Sequence, residues 1–151
     1  MEQHHQYHQY HQPTSAFIMA SWGAFVIGSS AYLFGLWKST MELNEKGYYF
    51  SLLLLGLFAA ISLQKTIRDK QEGINVTSMY TMSCRVALIS ALLLMAIGLR
   101  NAELLLSEKG FFAMAYTLSL FSVVTIQKNI RDVAASISDE GLSEVKDELV
   151  E

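Results

Sequence analysis

Few residues of this chain carry chemistry, and most of those that do occur twice. Glu45-Lys46-Gly47 opens a segment that closes on Gln64-Lys65, Arg68 and Asp69. Glu108-Lys109-Gly110 opens a second that closes on Gln127-Lys128, Arg131 and Asp132. Residues 43–69 and 106–132 align without a gap at an offset of 63, with 12 of 27 positions identical. Lys65 with Asp69 and Gln64 with Arg68 lie four apart, as do Lys128 with Asp132 and Gln127 with Arg131, so on a helix each pair shares a face. Such a set makes ion pairs and a duplicated polar surface; it does not contain a nucleophile with its base.

The remaining reactive residues are sparse. His5, His8 and His11 recur at three in a low-complexity start, where a solvated tract gives only weak, unspecific metal ligation. Cys84 is the single cysteine, which excludes an intramolecular disulfide and a multi-cysteine metal site. No histidine follows residue 11 to activate its thiol, so Cys84 reads as a packing residue. There is no Gly-rich phosphate loop, no Ser-His-Asp set and no HExxH or CxxC motif. No catalytic residue, cofactor or metal is assigned, and the expectation is a protein that is not an enzyme.

The elements that hold these residues are apolar. Hydrophobic residues make up 52% of the chain and cluster in four blocks, at about 16–37, 47–64, 79–99 and 110–127. A helix rising ~1.5 Å per residue needs ~20 residues to cross a ~30 Å hydrocarbon layer. The expected fold is therefore an all-α membrane protein, with four transmembrane helices arranged as two tandem two-helix hairpin repeats. Short connections between Lys38 and Lys46 and between Arg100 and Lys109 make the helices of each hairpin antiparallel.

Blocks one, two and four contain no ionisable Asp, Glu, His, Lys or Arg, and block three has only Arg85, with Arg100 at its end. At the repeat offset these two arginines align with Trp22 and Trp37. Trp at membrane interfaces and Arg reaching toward headgroups serve the same end, so all four are expected to be interface anchors. Ala20, Ala24, Gly28, Ala31 and Gly35 recur at three and four on block one, and Ser83, Ala87, Ala91 and Gly98 partly repeat the stripe on block three. Small residues permit close helix approach in lipid, and the stripes are expected to form a helix-packing seam.

These elements divide the chain into a disordered His/Gln-rich tail (1–15), repeat one (16–69), a connection (70–78), repeat two (79–132) and an acidic tail (133–151). The net charge of −3 is uneven, because residues 139–151 alone carry −5. Leu142, Val145 and Leu149 fall at helical spacing there, which leaves a disordered tail or a short amphipathic helix as alternatives. Lys65, Arg68, Lys70, Arg85, Lys128, Arg131 and Lys146 lie on the side of both termini, against Lys38, Lys46, Arg100 and Lys109 on the other. The positive-inside rule then places both termini and the connection in the cytoplasm. The Asn75-Val76-Thr77 glycosylation pattern is discounted on that orientation.

The two hairpins, each with Glu-Lys-Gly, an apolar run and Gln-Lys-x-Ile-Arg-Asp, resemble the YiaA/YiaB family of small bacterial inner-membrane proteins, built from a two-helix domain. The resemblance covers about residues 16–132 and leaves out both tails. It implies an inner-membrane location and brings no catalytic residues. The function expected is that of a non-enzymatic membrane protein acting through association with itself, as a homo-oligomer, or with another membrane protein. Its surroundings are the lipid bilayer. Nucleic acid is not expected, since no basic patch is interleaved with aromatics. The alternative is a small transporter or channel with Arg85 and Arg100 as gates.

Overall fold

The computed structural model describes residues 12–148. Four helices follow in order: α1 Ser15–Lys38, α2 Leu43–Gln71, α3 Ser78–Asn101 and α4 Leu106–Glu148. All four are long and apolar enough to cross a membrane. The histidine tract up to His11 lies outside the described residues. The start of the chain is nevertheless structured earlier than expected: Thr14 accepts a hydrogen bond from the Phe17 N–H at 3.3 Å as the α1 cap, and the Gln12 amide donates to Ser136 on α4 at 2.9 Å. Beyond the membrane, the acidic tail is not a separate short helix but the continuation of α4, which runs unbroken to Glu148. About 20 residues past Gln127 extend it roughly 30 Å further.

The repeated Glu-Lys pairs build the two outer turns. Glu45 sits in the first turn of α2 and reaches back to accept the Glu42 N–H at 2.9 Å; Glu108 accepts the Leu105 N–H at 2.8 Å. Each satisfies a donor that the start of a helix leaves unpaired. Lys46 and Lys109 turn the other way and donate to the carbonyls of Trp37 and Arg100, at 3.1 and 3.2 Å, at the ends of α1 and α3. One dipeptide thus closes the helix behind it and opens the helix ahead. The central connection is made differently. Gly73, at φ 75°, takes the left-handed conformation, and the Gly73 and Ile74 N–H groups donate to Lys70 and Asp69 carbonyls at 3.2 and 2.8 Å. This is a Schellman stop, and it turns the chain into α3.

The packing does not follow the chain order. α1 packs chiefly on α4 and α3 on α2, while the two helices of one hairpin touch far less. The contacts repeat at the 63-residue offset. A Cβ on Gly35 would meet Phe111 at 2.6 Å and Phe112 at 3.5 Å; one on Gly98 would meet Tyr48 at 2.7 Å and Tyr49 at 3.1 Å. Asn129 of α4 donates to Ser21 of α1 at 3.1 Å, and the equivalent pair, Thr66 of α2 and Cys84 of α3, lies at 4.0 Å. The first helix of each repeat is therefore seated on the second helix of the other repeat.

The second helices, α2 and α4, run parallel and meet at the centre. Tyr49 stacks on its repeat equivalent Phe112 at 6.2 Å with the rings 22° apart. Gly56 admits the Tyr116 side chain, whose hydroxyl donates to the Leu52 carbonyl at 3.1 Å. A local two-fold axis thus runs between α2 and α4 along the membrane normal, the relation expected for repeats of the same topology. The core around it comprises Tyr32, Leu36, Leu52, Leu53, Met95, Phe112, Tyr116, Leu120 and Val123.

Candidate functional site

Because α2 and α4 lie side by side and run the same way, the duplicated segments that end them converge. Gln64, Lys65 and Arg68 on α2 line one small cleft with Gln127, Lys128 and Arg131 on α4. The apolar blocks end beside these residues, so the cleft sits at the depth where hydrocarbon gives way to headgroups. Its volume is about 10 Å³, room for about one water.

The aspartates do not face this cleft as ligands but brace its cations. Lys65 donates to Asp69 at 2.7 Å, and the Arg68 guanidinium lies 3.6 Å from the same carboxylate. On α4, Lys128 pairs with Asp132 at 2.5 Å and Arg131 Nε donates to it at 3.3 Å. The Asp69 and Asp132 side chains are 10% and 13% exposed against 63% and 60% for Lys65 and Lys128, so the carboxylates are sheltered and the ammonium groups face out. Arg68 also approaches Glu72 at 3.6 Å. Its Nε is buried without a hydrogen-bond partner. Each helix contributes two cations and one braced anion, so the six charged side chains sum to +2 around one axis, with Glu72 at the edge.

The other predicted residues fall elsewhere. Trp22, Trp37, Arg85 and Arg100 are exposed on the bundle exterior. Along the small-residue stripes, Gly28 and Ala91 are buried, Ala24, Ala31, Gly35, Ala87 and Gly98 are half-buried, and Ala20 and Ser83 are exposed. Gly28 lies against the Ser119 backbone, where a Cβ would come within 3.1 Å. The buried part of each stripe is filled by the chain's own second helices. Glu45, Lys46, Glu108 and Lys109 belong to the turns; Gly47 and Gly110 have open space around them.

Three tyrosine hydroxyls make interhelical contacts that the sequence pattern does not assign. Tyr32 donates to the Tyr49 carbonyl at 2.8 Å, Tyr48 to the Leu94 carbonyl at 2.6 Å, and Tyr116 to Leu52 as above. Each ties one helix to the backbone of another. Their only signal in the sequence is a hydroxyl inside an apolar run, where it needs a partner. Among the described residues no cluster of three or more His, Cys, Asp or Glu is placed to hold a metal.

The yiaA/B two helix domain matches the chain twice, over residues 17–69 and 80–132. Inner membrane protein YiaA of Escherichia coli strain K12 is 58% identical over 117 residues, which cover 78% of this chain and 81% of that protein. Inner membrane protein YiaB of the same organism is 29% identical over 97 residues, covering 64% and 82%. Uncharacterized membrane protein YubF of Bacillus subtilis strain 168 is 38% identical over 60 residues, covering 39% of this chain and 69% of that protein. No solved structure matches the chain. With two domain matches and four helices long and apolar enough to span, the chain is a multi-pass inner-membrane protein that belongs to the YiaA/YiaB two-helix-domain family.

Proposed function

We propose that this is a non-enzymatic component of the inner membrane that works by helix association, each two-helix unit joining another such unit in the same chain or in a neighbouring membrane protein. The observation that carries the reading is the exchanged packing, α1 on α4 and α3 on α2. A single unit leaves the inner faces of both its helices uncovered, and a second unit covers both. The Bacillus relative matches over 60 residues that make up 69% of its length, which leaves room for one unit, whose complement would come from another molecule. The same reading places both termini and the paired Gln-Lys-x-x-Arg segments in the cytoplasm, on the seven-to-four excess of Lys and Arg.

Two differently tagged copies of the full chain, co-expressed and crosslinked in native membranes, test the association. The reading expects a crosslinked species containing both tags, or this chain with another membrane protein; a chain recovered only as an uncrosslinked monomer counts against it. A phosphatase fused after residue 151 is expected to be inactive and a fluorescent protein there to be bright. An active phosphatase would overturn the orientation.

A further inference from the structure

We propose that the convergent Gln64, Lys65, Arg68, Gln127, Lys128 and Arg131 form a binding site for a phosphate-bearing anion at the membrane surface, and that an anionic phospholipid headgroup occupies it. This does not rest on the association reading. The packing brings two copies of one polar set, 63 residues apart in the chain, around a single axis, where they line one cleft. Each lysine and arginine is held by the aspartate of its own helix (Lys65 and Arg68 by Asp69, Lys128 and Arg131 by Asp132). Arg68 is also approached by Glu72 at 3.6 Å, which brings the local charge to +1. An ammonium has three donors and a guanidinium five, so this bracing orients the groups and leaves donors free.

The cleft is too narrow to admit a phosphate group, so the anion lies across its mouth, where the exposed lysines flank it. Forked Arg donors match phosphate oxygens in pairs, and the two glutamine amides add neutral donors. Depth favours a lipid source over a soluble one: the site begins where the apolar blocks end, at headgroup level, and clustered Lys and Arg at that level attract anionic lipid. Two equivalent halves about an axis suit either one phosphate shared by both or two phosphates held side by side.

The full-length protein in detergent is titrated with dioleoylphosphatidylglycerol, with dioleoylphosphatidylcholine and with inorganic phosphate, and bound ligand is counted by native mass spectrometry. Phosphatidylglycerol is expected to bind about tenfold more tightly than phosphatidylcholine, and Arg68→Gln with Arg131→Gln is expected to abolish that difference. Arg68→Lys with Arg131→Lys is expected to keep most of it, and Arg85→Gln with Arg100→Gln, at the exterior, to leave it intact. Saturable inorganic phosphate binding that the Gln pair removes, without a lipid preference, supports the anion site and assigns it a soluble source. Equal binding of the two lipids with no phosphate binding overturns the proposal, as does a preference that survives the Gln pair. Should the Gln pair fail to fold, Lys65→Gln with Lys128→Gln, at exposed positions, carries the same comparison.

Discussion

At the scale of single residues, glycine and tyrosine do more here than the charged positions that first draw attention. Gly73 is required by its backbone rather than by space: its φ of 75° is strained for any side chain, while nothing lies within 4 Å of its Cβ position. Gly73→Ala is expected to lower stability by about 1 kcal/mol, read as a lower melting temperature in detergent. Gly28 has the opposite requirement. Its φ is helical, but Ser119 backbone and Leu118 crowd it, so Gly28→Leu is expected to destabilise the folded chain by about 1–3 kcal/mol. That loss appears in the monomer's own melt, because the crowding neighbours belong to the same chain. Tyr116→Phe keeps the ring and removes the hydroxyl from Leu52; a loss of about 1 kcal/mol is expected in the same measurement.

Among the elements, the helices themselves were largely legible. The apolar blocks at 16–37 and 79–99 correspond to α1 and α3 within about two residues at either end, because uncharged length is what a membrane demands of a helix. The turns were legible as places but not as mechanisms. Glu45 and Lys46 look like solvated charges in sequence, yet one caps α2 and the other closes α1. What sequence order hid was the partner of each helix. A four-residue turn fixes the helices as antiparallel, but leaves them free to splay beyond it. The partner is then chosen by shape, Gly35 accepting Phe111 and Gly98 accepting Tyr48, and such matches leave no periodic signal. Rescue tests this choice. Gly35→Ala is expected to destabilise by about 1–3 kcal/mol, and adding Phe111→Leu is expected to recover much of the loss. Adding Tyr48→Leu, within the same repeat, is expected to recover none.

The whole molecule is a pair of two-helix units that complete one another, and its convergent polar segments follow from the meeting of α2 and α4 at their centre. Without the packing of α2 on α4, nothing would bring Gln64, Lys65 and Arg68 beside Gln127, Lys128 and Arg131. The candidate site was accordingly half legible: residue types and spacing within each copy could be read, but their meeting around an axis could not. The exchange is tested most directly by disulfide crosslinking in membranes, in a Cys84→Ser background. Ser29 and Ser119 hydroxyls on α1 and α4 lie 3.3 Å apart, whereas Leu33 and Phe50 both line the open groove between α1 and α2. The Ser29→Cys, Ser119→Cys chain is expected to oxidise rapidly to an intramolecular disulfide that migrates as a monomer, and the Leu33→Cys, Phe50→Cys chain to stay reduced. Rapid closure of the second pair with none of the first would show that each hairpin packs on itself, and would contradict the exchanged fold.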